Sequence, residues 1–386
     1  MFSISTFQEL MKGLPRQKFD ALVKKHNADK YSKKFSHWQH LISMLYGQLS
    51  GASSLRTLAI GFNSHQSHHH HLGAASIQRT TIADANAKRG DAVFAETAAW
   101  LMKLVSRKLR GNTSELMYLL DSTSLTLKGR EFDRWTLDNS TRNTQGMKVH
   151  VLLEATAQSP DWYSFSAANV NDIEKAWEVP LRRGALYVFD KGYCDYSWWH
   201  AIDEAGALFV TRFKKNAGLT VIEHREIPTS AHGVIDDEIV QLKHRRPGGR
   251  ANPYVATLRR VTIARPDKAA LVLATNDLES SALEIAQRYK ERWGIELFFK
   301  WIKQHLKIKS FLGRSENAVR IQVLTALISY LLVALYKQRK AVKGTLWECL
   351  VLVRETLFQR GGAELSRYRR QRRYREDLAL NQGRLF

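Results

Sequence analysis

The sequence predicts an α/β protein in which a mixed β-sheet and its helices form a central region between two helical regions. Three changes along the chain indicate this organisation. Residues 1 to about 110 carry apolar side chains at helical spacing, the chain from Glu115 onward carries short strand-like apolar runs, and helical spacing returns near the C-terminus. We therefore expect a helical region at 1–112, a mixed-sheet region at 113–310, and a helical region with a basic tail at 311–386.

The N-terminal region is predicted to consist of helices joined by polar connections. Apolar residues recur at helical spacing in three segments, namely Phe7–Met11, His37–Leu49 and Phe94–Leu109. The segment Ser76–Arg89 is predicted to form a turn and then a helix capped by Thr80 or Thr81, because a threonine hydroxyl accepts from the backbone at a helix start. The cations of this segment that would reach phosphate are Arg79, Lys88 and Arg89.

The central region begins with strands. Three successive apolar runs predict an antiparallel meander, Leu116–Leu120, Val149–Glu154 and Trp162–Ala167. A helix at about 171–181, a buried strand at Ala185–Phe189, a helix at Ser197–Ala205 and a strand at Ala207–Phe213 follow. Three strands, a helix, a strand and a helix is the order expected of a ribonuclease H-like α/β core, in which the first and fourth strands are neighbours.

Residues 214 to about 278 interrupt this order, and we predict that they form a mostly β insertion. The strand-like runs are Ile235–Leu242, Tyr254–Ala264 and Ala270–Ala274, separated by turns rich in His, Arg, Pro and Gly. The cations of the insertion suit either contact with DNA or solvated turns; they are Lys243, Arg245, Arg246, Arg250, Arg259 and Arg260.

One segment after the insertion, Tyr289–Lys303, carries the strongest functional pattern. Tyr289, Arg292, Glu296, Lys300 and Lys303 lie at offsets of −7, −4, 0, +4 and +7 from the glutamate. On a single α-helix these offsets fall within about 40° of one line. A lone carboxylate among cations suits a metal ligand with phosphates on either side, whereas the alternative is a solvated surface with ordinary Glu–Lys pairs.

The opposite face of that predicted helix is apolar and is expected to pack against a core. Its members are Ile295, Leu297, Phe298 and Ile302, with Trp293 and Trp301 nearby.

Two aspartates complete a candidate catalytic site with Glu296. Asp121 and Asp190 each follow an apolar strand, at the point where a ligand crevice opens in an α/β sheet. If the two strands are neighbours and the Glu296 helix packs on the sheet, the three carboxylates meet. Three such groups can hold two Mg²⁺ ions, one to activate a nucleophile and one to stabilise the leaving oxygen. The alternative for each aspartate is a strand-end turn residue.

The charge balance indicates the partner. The chain has 59 Lys and Arg against 37 Asp and Glu, a net charge of +22, and such basic proteins bind polyanions. The cations are spread along the chain instead of lying on one amphipathic segment, which favours nucleic acid over a membrane surface. Arg367–Arg375 forms either a solvated tail or a phosphate-binding arm.

The expected location is the cytoplasm. Two cysteines predict a reducing compartment, and the N-terminus lacks the basic-then-apolar layout of a signal peptide. The apolar run Ile321–Tyr336 is too short to span a bilayer and predicts a buried helix.

These motifs together resemble the DDE transposases of the insertion sequence 4 family of bacterial mobile elements. The resemblance is carried by Leu120-Asp121-Ser122-Thr123, by Asp190-Lys191-Gly192-Tyr193, and by the Tyr-Arg-Glu-Lys signature at Tyr289, Arg292, Glu296 and Lys303. It implies a ribonuclease H-like catalytic core with a β insertion, an N-terminal DNA-binding region and cut-and-paste transposition.

The same resemblance implies roles for individual residues. Asp121, Asp190 and Glu296 would coordinate two Mg²⁺ ions, for which Mn²⁺ substitutes. The residues that would contact phosphates of the element ends are Tyr289, Arg292 and Lys303, with Lys300 added. Members of the family act as a homodimer in a synaptic complex with element ends and target DNA, through a DNA hairpin.

One expected feature of the family is missing from the sequence. In related enzymes a tryptophan in the insertion stacks on a base that is flipped out during hairpin formation. Here no tryptophan occurs between Trp199 and Trp293, and Tyr254 is the only aromatic residue between Phe213 and Tyr289. Either another aromatic residue stacks on the base, or the hairpin step differs.

Three other functions are compatible with parts of the pattern. A metal-dependent nuclease on the same core would cut DNA without joining it, and a catalytically inactive DNA-binding protein would do neither. A glycosidase also uses paired carboxylates, but the net charge of +22 and the cationic helix argue against it.

Overall fold

The computed structural model describes residues 4–111, 115–129, 131–141, 144–243, 251–266, 268–308 and 310–359. These residues fall into two compact units. Unit 1 contains the described residues of Met1–Leu101 and Ile302–Phe386, and unit 2 contains those of Met102–Trp301. The N-terminal helices up to Leu101 and the C-terminal helices after Ile302 therefore belong to the same unit, although they are separated in the sequence by unit 2. The arginine-rich segment Arg367–Arg375 lies outside the described residues.

Within the described part of unit 2, nine strands form one mixed sheet with the order β3-β2-β1-β4-β5-β9-β8-β7-β6. The strands are β1 Leu116–Thr126, β2 Gly146–Glu154, β3 Ser159–Ala167, β4 Ala185–Phe189, β5 Leu208–Arg212, β6 Leu219–His224, β7 Val234–Leu242, β8 Leu258–Arg265 and β9 Lys268–Thr275. The predicted α/β class with a mixed sheet is confirmed, and residues 214–278 contain the strands β6 to β9.

The first and fourth strands are neighbours, as predicted. β1 runs parallel to β4, with Leu116 opposite Ala185 and Leu120 opposite Phe189, and antiparallel to β2. Every residue of β4 is buried, which is typical of a parallel strand covered on both faces. The core against it contains large aromatic side chains, Tyr118, Tyr187, Trp198, Trp199 and Phe209.

Asp121 does not end its strand, and this part of the prediction is wrong. β1 continues to Thr126 because its antiparallel ladder with β2 continues, from Asp121 opposite Val151 to Thr126 opposite Gly146. The parallel ladder with β4 does stop at Leu120, so Asp121 still lies at the sheet edge where β4 ends and Asp190 follows.

The helix predicted at 171–181 is much shorter. α8 covers only Asp172–Ala176, and Pro180 follows closely. A proline disfavours helical geometry in the residue before it, which limits how far the helix can extend.

The insertion extends the sheet of the core. β9 pairs antiparallel with β5, and β8, β7 and β6 follow outward. β6 was not predicted, because at the outer edge of the sheet it carries one half-buried residue followed by five exposed ones and has no buried apolar run.

Two cations of the insertion have acidic partners. Arg259 is 2% exposed and donates to both Oδ atoms of Asp237, at 2.7 and 2.6 Å, so it is neither a solvated turn residue nor a DNA contact. Arg260 pairs with Glu238. Arg245, Arg246 and Arg250 lie outside the described residues.

Thirteen α-helices occur in the described residues. They are α1 Thr6–Met11, α2 Arg16–Lys25, α3 His37–Ser50, α4 Leu55–Asn63, α5 Arg79–Lys88, α6 Ala92–Leu109, α7 Asp133–Thr136, α8 Asp172–Ala176, α9 Tyr196–Glu204, α10 Ala282–Glu291, α11 Trp293–His305, α12 Glu316–Arg339 and α13 Leu346–Glu355. The predicted cap of α5 is wrong, because the helix begins at Arg79 after Gln78 and encloses Thr80 and Thr81. Arg89 is half-buried within unit 1 and donates to the carbonyl of Ser36 at 3.2 Å.

The apolar run at Ile321–Tyr336 forms part of a buried helix, as predicted. α12 is longer than the run, and among the described residues it alone has the length and composition of a membrane span. Every residue from Ile321 to Tyr336 is buried, and α12 packs against α3, α5 and α13. A helix with these contacts is the core helix of unit 1.

Candidate active site

The segment from Tyr289 to Lys303 forms two helices, so the prediction of a single helix is wrong. α10 ends at Glu291, Arg292 lies at its C-cap, and α11 begins at Trp293. The N–H of Ile295 bonds back three residues to the carbonyl of Arg292 at 3.2 Å, which tightens the chain at this point. Gly294 allows the close approach of α11 to β1, since a Cβ there would lie 3.1 Å from the Leu119 side chain.

One guanidinium joins two of the three predicted carboxylates. Arg292 forms an ion pair with Glu296 through Nη2, and its Nη1 lies 3.5 Å from Oδ2 of Asp121. Asp121 also accepts from the N–H of Ser122 at 2.8 Å, which fixes the other carboxylate oxygen. The structure therefore brings Asp121 and Glu296 to the same guanidinium, although they are far apart in the sequence.

The third carboxylate has its own guanidinium. Asp190 follows β4 and accepts from the N–H of Lys191 at 2.7 Å. Arg212, at the end of β5, donates to Oδ1 of Asp190 through Nε at 3.1 Å and also through Nη2. β4 and β5 are adjacent parallel strands, which is why these two side chains meet.

Tyr289 lies close to both arginines. The guanidinium carbons of Arg212 and Arg292 are 6.0 and 5.9 Å from the centre of its ring. The ring is buried, and this burial raises the pKa of the Tyr289 hydroxyl, so it stays protonated at neutral pH. The Tyr-Arg-Glu part of the predicted signature is thus assembled with Asp121 and Asp190 in unit 2.

The two aspartates have shifted pKa values of opposite sign. Burial, together with the negative charges of Glu296 and Asp190, raises the pKa of Asp121 to about 6, against the opposing effect of Ser122 and Arg292. Burial also tends to raise the pKa of Asp190. Hydrogen bonds from Arg212 and Lys191 outweigh this effect, so the pKa of Asp190 lies below its usual value. Carboxyls driven apart in this way are typical of functional sites.

The two predicted lysines lie in different environments. Lys300 is exposed on α11 in unit 2. Lys303 belongs to unit 1 and is half-buried at a cavity of about 310 Å³ that Gly51, Lys307 and Arg354 also line.

The apolar face of α11 is only partly as predicted. Ile295, Phe298 and Ile302 are buried, but Trp293 is 57% and Leu297 49% exposed. The prediction that these two residues belong to the packed face is wrong, because at 100° per residue they lie about 140–180° around the axis of α11 from the buried Ile302.

The carboxylates face guanidinium groups, and this limits how a metal fits. Among the described residues, no three His, Cys, Asp or Glu side chains lie close enough together to hold one ion. The donor chemistry nevertheless suits Mg²⁺, which prefers carboxylate oxygens. The side chains of Asp121, Asp190 and Glu296 are 23%, 34% and 32% exposed, so a cation and phosphate can reach them.

Sequence reasoning missed Arg212. It lies in a predicted strand, and no local motif marks it. A signal was nevertheless available. Arg212 ends the strand β5, which lies beside β4, and Asp190 follows β4, so a cation and a predicted carboxylate come at the same end of two neighbouring strands.

Comparisons with known proteins identify the family of the chain. Residues 112–332 match the family model described as a transposase DDE domain, and residues 3–75 match a domain of unknown function (DUF4372). A Sinorhizobium fredii protein named as transposase y4zB is 41% identical over 282 residues, which cover 72% of this chain and 77% of that protein.

Two further relatives are named for insertion sequences. The protein named for element IS5377 of Geobacillus stearothermophilus is 30% identical over 58% of this chain and 57% of its own length. The protein named for element IS4SA of Synechocystis is 27% identical over 68% of this chain and 73% of its own length. The chain belongs to the DDE transposases of bacterial insertion sequences, and it is a DNA transposase.

Proposed function

We propose that Asp121, Asp190 and Glu296 are the catalytic, metal-binding carboxylates of this transposase. The observation that carries the proposal is the contact of one guanidinium, that of Arg292, with both Asp121 and Glu296. Asp190 joins them because its strand, β4, pairs with β1. The electrostatic effects of Glu296 and Asp190 on the pKa of Asp121 support the same grouping.

The core is proposed to be ribonuclease H-like. The strand order β3-β2-β1-β4-β5, with β2 antiparallel to its neighbours and β4 and β5 parallel to β1, supports this assignment. The insertion strands β6–β9 then extend that core at its β5 edge.

The carboxylates would hold two Mg²⁺ ions, and Mn²⁺ is expected to substitute. When bound, the ions supply activation of a hydroxyl nucleophile and stabilisation of the leaving oxygen. Arg292 pairs with Asp121 and Glu296, and Arg212 pairs with Asp190, so these guanidiniums would compete with the ions for the carboxylate oxygens. DNA phosphates are the anions that would attract both guanidiniums, because arginine binds phosphate in a bidentate manner.

The phosphates of the element ends are proposed to contact Tyr289, Arg292, Lys300 and Lys303. Tyr289 keeps its proton and can donate to a phosphate oxygen, since burial raises its pKa. Lys300 is exposed and has no carboxylate partner among the described residues, so its charge is available to DNA.

The hairpin step of cut-and-paste transposition needs an exposed aromatic side chain. Tyr254, the only aromatic residue of the insertion, is 1% exposed and is unable to stack on a base. Trp293 is 57% exposed directly after Arg292, and we propose it for this role. Stacking on an aromatic ring is tolerant of base identity, which suits an end-processing step.

The proposed reaction is cleavage at the ends of an insertion sequence and joining of those ends to target DNA, performed by a homodimer in a synaptic complex. The helices of residues 1–112 would bind DNA, and the protein would act in the bacterial cytoplasm. The net charge of +22 supports a DNA-associated protein.

The test uses purified protein, Mg²⁺ and a supercoiled plasmid that carries the flanks of the gene. Wild type should produce end-specific breaks and joined products, and Glu296→Gln neither. Glu291→Gln, an exposed glutamate at the end of α10, is the matched control and should retain activity. Scattered cleavage would favour a nuclease without joining activity, and binding without cleavage by either protein would favour an inactive DNA-binding protein.

A further inference from the structure

A groove adjoins the candidate site at Asp190. It has a volume of about 710 Å³ and lies entirely within unit 2, between the turn after β4, the segment after β5, and the start of β9. Asp190 and Arg212 line both the groove and the carboxylate site, whereas Asp121, Arg292 and Glu296 do not line the groove. The groove is therefore a continuation of the site on its Asp190 side.

The walls of the groove are cationic. The positively charged side chains that line it are Lys191, Arg212, Lys214, Lys215, Arg260 and Arg265. Arg212 and Arg260 have carboxylate partners, Asp190 and Glu238. Across the described part of the chain, the other four have none: Lys214 donates to the carbonyl of Cys194, and Arg265 to that of Ala269. These four side chains are exposed, and within the described ranges no carboxylate neutralises them.

The groove is also open to close approach by a ligand. Ala269 and Ala270, at the start of β9, are exposed and present only methyl groups. At Gly192, a Cβ would meet nothing within 4 Å, and its φ is not in the left-handed region, so the fold does not require glycine there. Small side chains beside cations that have no carboxylate partner among the described residues leave room for a sugar-phosphate backbone, whose phosphate oxygens accept from lysine and arginine.

We propose that this groove binds the DNA backbone on the far side of the scissile phosphate from the element end. The inference rests on the proposed function, in which α10 and α11 hold the element end and the carboxylates hold the scissile phosphate. A DNA strand whose scissile phosphate is bound at the carboxylates continues on both sides of that phosphate. One side is the element end, and the groove, which begins at Asp190, is available to the other. During cleavage the occupant is the DNA that flanks the element, and during joining it is the target.

The first test needs no element-end sequence. Binding of the full chain to an unrelated duplex is measured by fluorescence anisotropy over a range of salt concentrations, for wild type and for Lys214→Gln/Lys215→Gln. Loss of two phosphate contacts should reduce the salt slope by about two and weaken binding about tenfold or more near 0.1 M salt. The matched control is Arg183→Gln, an exposed arginine just before β4, at the opposite end of that strand from Asp190. A double variant whose slope and affinity stay within the range of wild type and control would overturn the proposal.

The second test locates the DNA that occupies the groove. Three duplexes are compared: an element end with its flank, the same end cut at its terminus, and a target duplex offered with the cut end. The double variant should lose affinity for the flanked end several-fold more than for the cut end, and should join cut ends to target more slowly. Equal losses on cut and flanked ends would assign the groove to the element end and overturn the proposal. If the double variant lost affinity for the flanked end but joined cut ends to target at the wild-type rate, the groove would bind flanking DNA and the assignment to target DNA would be overturned.

The proposed function and the proposed role of the groove are overturned by different results. If the transposition chemistry is wrong, wild type itself makes no end-specific product. If the groove is wrong, wild type is active and the double variant binds every duplex as wild type does. A wild type that binds flanked and cut ends equally well also overturns the assignment to flanking DNA.

Discussion

Asp121→Asn should stabilise the metal-free protein at neutral pH, although it removes a proposed catalytic group. Burial raises the pKa of Asp121 to about 6, and its side chain is 23% exposed. Relative to an unfolded value of about 3.9, a folded value near 6 corresponds to about 2–3 kcal/mol of destabilisation by the ionised carboxylate. Asparagine has a similar shape and carries no charge, so the variant should recover most of this amount.

The pH dependence gives the sign of the effect. Below about pH 4 the carboxyl is protonated in both folded and unfolded states, and the variant should gain nothing. As the pH rises through the interval from about 4 to 6, the unfolded state loses its proton first and wild type loses stability. Above about pH 6 the difference is complete.

Thermal unfolding followed by tryptophan fluorescence in EDTA would measure this effect. Seven of the ten tryptophans lie in unit 2, so the signal reports mainly on the unit that contains the site. For a unit of about 200 residues, 2 kcal/mol should raise Tm by about 4–8 °C at pH 7.5. Asp190→Asn is the control of opposite sign and should lower Tm at that pH, because the pKa of Asp190 is depressed and Arg212 would lose its partner.

A Tm for Asp121→Asn at or below that of wild type at pH 7.5 would refute the reasoning. It would mean that the contact of Asp121 with Arg292 outweighs the cost of burying its charge. A gain that persisted at pH 4 would also refute it, since the stabilisation would then have a cause other than ionisation.

Three further predictions concern DNA binding and the fold. Arg292→Ala and Lys303→Ala should each weaken binding to the element end and reduce its salt slope by about one, and an unchanged slope would show that the cation does not meet phosphate. Asp237→Ala should cost about 3–5 kcal/mol in urea unfolding, because Arg259 stays buried without its partner, and a cost below about 1 kcal/mol would contradict this account. Trp293→Ala should weaken binding to a DNA hairpin by about 1–3 kcal/mol in anisotropy while Trp293→Phe retains most of it, and equal losses would argue against stacking.

The parts of the fold that were predictable are those with strong local patterns. Ala185–Phe189 is apolar throughout and is bounded by Gly184 and Asp190, so its limits as a strand follow from the sequence. The edge strand β6 has no such pattern, since most of its side chains face solvent and only its hydrogen bonds to β7 define it.

In the candidate site, the three carboxylates and the relation of Arg292 to Glu296 were predictable, whereas the contacts that join distant parts of the chain were not. Spacing along a helix suggested a relation between Arg292 and Glu296, and the two remain paired although the helix is broken beside Arg292. The contact of Arg292 with Asp121 and of Arg212 with Asp190 depends on which strands are neighbours. Such contacts between distant parts of a chain leave no periodic trace in a single sequence.

The ladder between β5 and β9 has a mechanical consequence. Because the insertion belongs to the same hydrogen-bonded sheet as β4 and β5, it is unable to swing on a linker as a separate lobe would. A pull exerted on β8 or β9 by tightly curved DNA would pass through the ladder to β5, where Arg212 holds Asp190. Tension in the nucleic acid would in this way reach the carboxylate, and a sharply bent substrate would strain the contact between Arg212 and Asp190.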